Sequence, residues 1–202
     1  MLAILTAATS SALATRAGFR ARYPGFATLS DAQVSALVLE ASSKIAGYCD
    51  RVFGLTQYRQ TMRRLCAHEL RLEAPGPIVS IDALTIDGVA KVEGTDFERD
   101  RMTLYRLSTD CRIPWHGATI VVDYRTGYGL PGQSPRSLPE AIEAACLELA
   151  ARQAFAGPRD PNVTEETIFG VAKFVYDAGG EKGGLPLSIA QALDPHVFRT
   201  IG

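Results

Sequence analysis

The polar and apolar positions of residues 30–53 follow the period of an amphipathic helix. Apolar side chains recur there at spacings of three and four residues and so form one stripe. The members of this stripe are Val34, Leu37, Val38, Ala41, Ile45, Tyr48 and Val52. Ser30 and Gln33 have capping-box spacing, in which each side chain accepts a hydrogen bond from the other residue's backbone N–H. We therefore expect a helix that begins after Ser30 and stops at Gly54.

Between residues 57 and 125 the pattern changes to short apolar runs, several of them alternating with polar residues. β-branched and aromatic residues are frequent in these runs, which is typical of strands. Asp87 and Gly88 separate two runs and suit a two-residue hairpin turn, because that turn needs positive φ at both positions. The pattern predicts a compact antiparallel β region of five or six strands.

Helical periodicity returns at residues 138–156, where Ile142, Ala145, Cys146 and Leu149 share one face. Ser137 and Glu140 again have the spacing of a capping box. After this helix, residues 167–177 read as a short β-like stretch and the glycine-rich residues 177–184 as a flexible hinge. The remaining residues, from 185 onward, predict a short amphipathic helix and a tail.

The order of these elements predicts the fold class α+β, because helices flank the strands without βαβ alternation. We expect a small helical bundle with an inserted antiparallel β region and a C-terminal helical arm. The predicted parts are an N-terminal extension over 1–29, a single α+β domain over 30–178 with the β insertion at about 57–125, and a hinge with the C-terminal arm over 179–202.

The stretch GYGLPG, residues 127–132, matches the G-x-G-x-x-G pattern of dinucleotide-binding loops. In such loops the third glycine lies inside a helix whose N-terminus holds the pyrophosphate. Here Pro131 precedes the third glycine, and the predicted helix begins only at 137–139. A second parallel strand ending in an acidic residue is also missing from the pattern. We therefore interpret GYGLPG as a turn between the last strand and the second long helix.

The chain offers few other groups for chemistry. Cys66, His68, Cys111 and His116 could ligate a metal, but their spacings match none of the closed zinc patterns. No G-x-S-x-G or H-E-x-x-H motif occurs, and the histidines are scattered singly. The sequence predicts no catalytic, cofactor-binding or metal-binding residues, and hence no enzyme.

Composition narrows the class of protein and its compartment. The net charge of the 202 residues is −1, which argues against a dedicated nucleic-acid-binding protein. The four cysteines do not form a disulfide framework, so we expect a reducing compartment. The N-terminal segment MLAILTAATSSALATRA lacks the basic region of a signal peptide, and no run is long enough to span a membrane. These features predict a soluble, cytoplasmic protein.

A series of landmarks along the chain resembles one known family. Their order is the lead GFRARYPGF, the capped helix ending in CDRVFG, the strand and hairpin PIVSIDALTIDG, and WHGATIVVDYRTGYGLPG before an alanine-rich helix. This order is similar to that of the head–tail connector proteins of long-tailed double-stranded DNA phages. These proteins are also called adaptor or head-completion proteins and have relatives in gene transfer agents. The resemblance covers most of residues 19–200.

The resemblance implies a structural virion protein rather than an enzyme. Its subunits would form a ring, commonly a dodecamer, beneath the portal protein at the capsid vertex. The ring would extend the channel for the passing double-stranded DNA, which it would contact non-specifically, and would support a downstream neck or stopper protein. Assembly would take place in the host cytoplasm without a membrane. A stopper or tail-terminator is the nearest alternative, but those proteins are β-dominated and this chain is predicted to start and end in helices.

The resemblance also suggests roles for two groups of residues. The C-terminal arm would dock in a groove of the portal through its apolar face, or would instead pack on its own domain. The anchors of this face would be Leu187, Ile189, Ala190, Leu193, Val197 and Phe198. Arg51, Arg59, Arg63 and Arg64 would line the DNA channel, or would pair with Glu140, Glu143 or Glu148 of a neighbouring subunit.

A function of a different class also has to be tested. In this alternative, the chain is a small α+β nucleotide- or ligand-binding enzyme that uses the Gly127–Gly132 loop.

Overall fold

A computed structural model describes residues 1–109, 111–156, 165–168, 172–175 and 181–198. Its helices are α1 (Arg16–Arg22), α2 (Asp31–Cys49), α3 (Glu140–Ala156) and α4 (Leu187–Leu193). Its strands are β1 (Leu2–Thr6), β2 (Thr56–Ala67), β3 (Leu70–Arg71), β4 (Ile78–Ile86), β5 (Val89–Ala90), β6 (Phe97–Asp100), β7 (Thr103–Ser108), β8 (Cys111–Ile113), β9 (Trp115–Thr126), β10 (Glu165–Ile168), β11 (Ala172–Val175), β12 (Glu181–Lys182) and β13 (Leu185–Pro186). Helices and antiparallel sheets together confirm the predicted α+β class.

The chain divides into two compact units. The β unit consists of residues 1–11 and 51–137, and the helical unit of residues 12–50 and 138–202. The β unit is therefore inserted between α2 and α3. The predicted boundaries at 29, 178 and 179 stay a prediction, although the first 29 residues contain both β1 and α1. The first regular element is thus a strand, not the helix expected from the sequence.

Helix α2 begins as the sequence predicts and ends earlier. The Ser30 side chain accepts a hydrogen bond from the N–H of Gln33, and the Gln33 side chain accepts one from the N–H of Ser30, which confirms the capping box. The predicted stop at Gly54 is wrong. Asp50 ends the helix in the left-handed conformation, with φ of 48°, and its N–H donates to the carbonyl of Ala46. Aspartate tolerates this conformation better than most residues, so no glycine is required.

The buried stripe of α2 contains one polar residue that its periodicity did not single out. Ser42 is buried, and its hydroxyl accepts a hydrogen bond from the N–H of Leu13 at 2.9 Å. The same hydroxyl donates to the carbonyl of Val38 at 2.6 Å and lies 3.4 Å from the sulfur of Cys146 on α3. Burial raises the pKa of the Cys146 thiol to about 11, so this cysteine is an uncharged core residue, as the sequence predicts.

Helix α3 starts at Glu140, directly after Pro139, and the predicted capping box at its N-terminus is wrong. The Ser137 hydroxyl accepts a hydrogen bond from the N–H of Gly129 rather than from α3. Proline is well suited to the beginning of a helix because its fixed φ is already helical. The carbonyl of Pro139 accepts the N–H of Ile142. The predicted apolar face of α3 is buried.

The β unit contains two antiparallel sheets around one core. The larger sheet has the strand order β1-β2-β9-β4-β5, and the smaller one has β3-β7-β6 with β8 paired to β7. The core between them is formed by twelve buried residues: Tyr58, Leu70, Leu72, Ala74, Leu84, Ile86, Phe97, Leu104, Trp115, Ile120, Val122 and Tyr124. The described part of this region holds more strands than the five or six predicted, because β3, β5 and β8 are too short to show a period.

The predicted hairpin turn at Asp87 and Gly88 is confirmed. The two residues have φ of 51° and 84°, and they join β4 to β5, in which Ile86 pairs with Val89. The Asp87 carboxylate also accepts a hydrogen bond from the N–H of Thr119 at 2.7 Å. The turn is therefore tied to the neighbouring strand β9.

The described residues that follow α3 contain more regular structure than a hinge and a tail. The predicted β-like stretch at 167–177 holds the end of β10, which begins two residues earlier at Glu165, and all of β11, and these two strands pair antiparallel. Of the predicted hinge, residues 177–180 lie outside the described residues, but β12 and β13 form a hairpin around Gly183 and Gly184. These glycines have φ of 61° and 75°, which glycine adopts at little cost. Among the described residues, no helix is long and apolar enough to cross a membrane.

Candidate functional site

The backbone amides of the GYGLPG loop are already used by the protein itself. The N–H of Gly127 donates to the carbonyl of Pro77 and the N–H of Tyr128 donates to the carbonyl of Phe53. The N–H of Gly129 donates to the Ser137 hydroxyl, and the N–H of Leu130 to the side-chain oxygen of Gln133, both at 2.9 Å. A phosphate cradle needs several such amides pointing into open space. This loop has its amides directed at its own chain.

The glycines of the loop serve close backbone packing. Gly127 has φ of 113°, and a Cβ there would lie 2.5 Å from the carbonyl oxygen of Gly54. A Cβ on Gly129 would overlap the carbonyl oxygen of Pro135. Both approaches are possible only for glycine. The loop is therefore the turn that the sequence predicts, with four of its five N–H groups bonded within the chain.

The candidate metal ligands do not meet in one place. Cys66 and His116 are opposite each other in the β2–β9 pair, and both are exposed. Within the described ranges, no three His, Cys, Asp or Glu side chains are grouped so that they could hold a metal ion. None of the four cysteines forms a disulfide bond, and Cys49 and Cys146 are buried.

Two of the four predicted arginines are engaged inside the β unit. The Arg51 guanidinium lies over the rings of Phe53 and Tyr128, at 5.3 Å and 5.7 Å from their centroids. Arg59 makes a bidentate ion pair with Asp123, with both N–O distances at 2.7 Å. The hydrogen bond to Asp123 raises the pKa of Arg59 above its usual value. A DNA-channel role for these two arginines stays a prediction.

The other two arginines are exposed and make no ion pair with any described residue. Arg63 and Arg64 lie in the part of β2 beyond Gln60, the last residue that β1 pairs with. In this part only β9 pairs with β2 among the described strands. Arg64 has φ of 51°, an uncommon value for a side-chain-bearing residue within a strand. Among the described residues, Arg63 and Arg64 are therefore the exposed arginines of β2 without an ion pair, whereas the exposed Arg59 is paired with Asp123.

A polar network on the larger sheet was not foreseen from the sequence. Asp82 on β4 accepts hydrogen bonds from Gln57 on β2 at 2.8 Å and from Arg125 on β9 at 2.9 Å. Ser80 donates to the other oxygen of Asp82 at 2.8 Å. The alternating pattern of β2 and β9 places such residues on one face, but their pairing depends on strand register, which the pattern does not contain.

The acidic residues proposed as partners in a neighbouring subunit lie on α3. Glu148 already pairs with Arg152 of the same helix at 2.9 Å, four residues later. Glu140 lies at the first turn of α3, where a carboxylate favours the helix dipole. Pairing of the arginines with Glu140, Glu143 or Glu148 between subunits stays a prediction.

The C-terminal segment, residues 181–198, packs against its own helical unit. Ile189, Ala190 and Leu193 are at most 1% exposed, because α4 lies against α2 and α3. Leu187 is 42% exposed, and Val197 and Phe198 are partly exposed. The apolar face of this segment was expected either to dock in a groove of the portal or to pack on its own domain. Packing on its own domain accounts for three of the six predicted anchors. Binding of the segment to a portal protein stays a prediction.

Polar contacts fasten the same segment to the end of α2. The Tyr48 hydroxyl donates to Asp194 at 2.6 Å, and this hydrogen bond raises the pKa of Tyr48. Within the segment itself, the Lys182 ammonium donates to both oxygens of the Asp194 carboxylate, at 2.8 Å and 2.7 Å. The N–H of Phe198 donates to the carbonyl of Cys49, one of the last carbonyls of α2, at 2.9 Å.

Comparison with known proteins connects this fold to one kind of particle. No protein-family model matches the sequence. No curated protein matches it either. A solved structure of the neck of an empty GTA particle, computed with C6 symmetry, matches with a TM-score of 0.58 and 19% identity. A structure of the virion of a native gene transfer agent particle matches with a TM-score of 0.57 and 18% identity.

Both matches cover 100% of this chain and 98% of the other chain. Coverage of this extent means that the helices and the inserted β unit are matched together rather than one of them alone. The resemblance noted from the order of sequence landmarks is thus confirmed at the level of structure. This chain has the fold of a protein from the neck of a gene transfer agent particle.

Proposed function

We propose that the protein is a structural head–tail connector, located in the neck of a virion-like particle, and that it has no catalytic activity. The observation that carries this proposal is the match of the fold over the whole chain to a protein of a gene transfer agent neck. A small enzyme that shared only one domain with such a protein would match over part of its length. The amides of the glycine loop, bonded within the chain, also favour a structural protein over a nucleotide-binding enzyme.

The subunits assemble into a ring under the portal protein, extend the DNA channel and support the next neck or stopper protein. The C6 symmetry used for the matching neck supports a rotationally symmetric arrangement. A ring of identical copies needs two different surfaces on each subunit, which meet head to tail. A dodecamer satisfies sixfold symmetry and is the stoichiometry that we propose.

Assembly with a portal protein tests this proposal. The purified chain is mixed with the portal of its own particle and examined by electron microscopy and native mass spectrometry. We expect a ring in register with the portal, with twelve copies per complex. A chain that stays monomeric with the portal, or a chain whose thermal stability rises with NAD, FAD or ATP, would contradict the proposal, since specific binding stabilises the folded state.

The Arg63–Arg64 pair is the part of the surface that we assign to the passing DNA. Both side chains are exposed and unpaired among the described residues, whereas Arg51 and Arg59 are engaged. Contact with phosphates needs only positive charge and no base recognition. The pair offers two charges per subunit, repeated around the ring.

The prediction for these arginines is a change in salt dependence. In Arg63→Gln and Arg64→Gln rings, retention of double-stranded DNA weakens, and the slope of log affinity against log salt falls by about 0.9 for each phosphate that is no longer neutralised. Arg101→Gln is the matched control, because Arg101 is also exposed and has φ of 52°. Equal weakening in the control would reject the assignment. Loss of the ring itself in the two variants would instead indicate ion pairs between subunits.

A further inference from the structure

Asp194 joins three parts of the helical unit through one carboxylate. Its oxygens accept hydrogen bonds from Tyr48 on α2 and from Lys182 on β12. Asp194 itself follows α4 directly. The C-terminal segment is thus closed on itself by Lys182 and fastened to α2 by Tyr48. All of these contacts are made by side chains. The site is partly exposed, since the side chains of Lys182 and Asp194 are 51% and 32% exposed.

The hairpin of the segment also touches the same tyrosine. A Cβ on Gly183 would lie 2.8 Å from Cδ2 of Tyr48, so the turn lies against the ring. On the other side of the segment, Arg152 of α3 donates to the Ser188 hydroxyl at 3.4 Å. The described polar contacts of the segment with the two long helices thus include Tyr48 and the Cys49 carbonyl at the end of α2, and Arg152 on α3.

The secondary structure of the segment depends on this docking. Helix α4 has seven residues, and an isolated helix of that length is not stable in water. Its apolar side chains, Ile189 and Leu193, are buried only because α4 lies against α2 and α3. Segments held by a limited set of contacts open as a unit, at a lower free energy than the whole domain.

We propose that residues 181–198 form a releasable strap, and that the Asp194 carboxylate is the contact that sets how often the strap opens. Closed, the strap covers the apolar face of α4. Open, it presents Ile189, Ala190 and Leu193 to the portal protein, a step that rests on the proposed connector function. The strap reconciles the two roles considered for this face, because the same side chains pack inward in the free chain and become available on opening.

Hydrogen exchange of the full chain tests the strap without any partner. In Asp194→Ala, the amides of residues 187–193 are expected to exchange about tenfold faster than in the wild type, as for a local opening event. Tyr48→Phe removes one hydrogen bond and leaves the Lys182 pair, so we expect a smaller acceleration in the same residues. The amides of α2 between Val34 and Ile45 are expected to stay within about twofold of wild type.

Arg16→Ala is the matched control. It removes another ion pair of the helical unit, that between Arg16 and Asp31 at 3.1 Å, which does not involve the segment. The proposal is overturned if Asp194→Ala leaves exchange in 187–193 unchanged, or if it accelerates α2 and α3 by the same factor as α4. The second outcome would mean that the segment opens only with its whole unit. Because no portal or ring is needed, failure here is distinguishable from failure of the connector function.

Discussion

At the scale of single residues, Tyr124 and Gln60 form the main polar contact inside the β unit. The Tyr124 hydroxyl donates to the Gln60 side-chain oxygen at 3.0 Å and accepts the N–H of Ala74 at 3.2 Å. Gln60 also accepts the N–H of Glu73 and donates to the carbonyl of Arg71. Each buried polar atom in this group thus has a partner, as buried polar groups require.

Replacement of this tyrosine should have an effect that depends on pH. Tyr124→Phe leaves the N–H of Ala74 without its partner, so we expect a loss of about 1–3 kcal/mol in the free energy of unfolding at neutral pH. Burial raises the pKa of Tyr124 to about 12, whereas an unfolded tyrosine titrates near 10. As the pH rises, Tyr124 therefore ionises in the unfolded state before it does in the folded state. The free energy of unfolding of the wild-type protein falls as the pH rises above about 10.

The difference between the two proteins should accordingly narrow with rising pH. Urea unfolding at pH values from about 8 to 11 measures it, because the phenylalanine variant lacks this ionisation. A difference in the free energy of unfolding that stays constant between about pH 8 and 11 would contradict the assigned pKa of Tyr124.

Single side chains show which contacts a local pattern predicts and which it does not. The exposed and charged positions of β2 are evident from its alternation, and so is the surplus of arginine there. The partner of Arg59, however, lies 64 positions away in the chain, at Asp123. That pairing follows from the register of β2 and β9, in which the two residues are opposite. Register depends on the whole sheet, so local patterns do not contain it.

At the scale of elements, glycines in different surroundings should respond in opposite directions. Gly129→Ala is expected to destabilise the protein by about 1–3 kcal/mol, because its Cβ would overlap the carbonyl oxygen of Pro135. Gly47→Ala is expected to stabilise it by up to about 1 kcal/mol. Gly47 lies in the exposed part of α2, and no atom lies within 4 Å of its added Cβ.

Chemical denaturation of both variants checks this contrast. The change is the same methyl group in each case, so the comparison isolates the environment of the glycine. A Gly129→Ala protein as stable as the wild type would mean that the loop backbone can move away from Pro135. The close packing described for GYGLPG would then be wrong.

Long elements were predictable because several turns of periodicity agree with each other. Helix α2 was expected over 30–53 and is found at Asp31–Cys49, and α3 was expected over 138–156 and is found at Glu140–Ala156. Strands of two residues, such as β3 and β5, give no period at all. Helix caps were harder to predict from the sequence. The Ser137 hydroxyl could accept a hydrogen bond from the first turn of α3 or from the N–H of Gly129, and only the tertiary structure selects Gly129.

At the scale of the whole molecule, the two units can be followed with separate spectroscopic probes. Trp115 is the only tryptophan of the chain and is fully buried in the core of the β unit, where its indole N–H donates to the carbonyl of Leu104. Helices α1 to α4 all belong to the helical unit. Tryptophan fluorescence therefore reports the β unit, and helical circular dichroism reports the helical unit.

One substitution in each unit tests whether the units unfold independently. Ser42→Ala leaves the buried N–H of Leu13 without an acceptor, at a cost of about 1–3 kcal/mol. If the helical unit unfolds by itself, we expect the midpoint seen by circular dichroism to fall by roughly 4–8 °C per kcal/mol, and the fluorescence midpoint to fall by less. Tyr124→Phe should show the reverse order. Equal shifts of both midpoints in both variants would show a single cooperative transition.

The closure of the β unit at its base has a mechanical consequence. Just outside the paired ends of β2 and β9, the N–H of Tyr128 donates to the carbonyl of Phe53 at 2.7 Å, so the two chain segments are joined there. A tension applied through the flanking chain loads this junction first, and the strands beyond it bear force only after it ruptures. The loop behind the junction holds an extensible length on the order of 250 Å at the usual span per residue. The β unit would thus lengthen the chain only under loads that break its base.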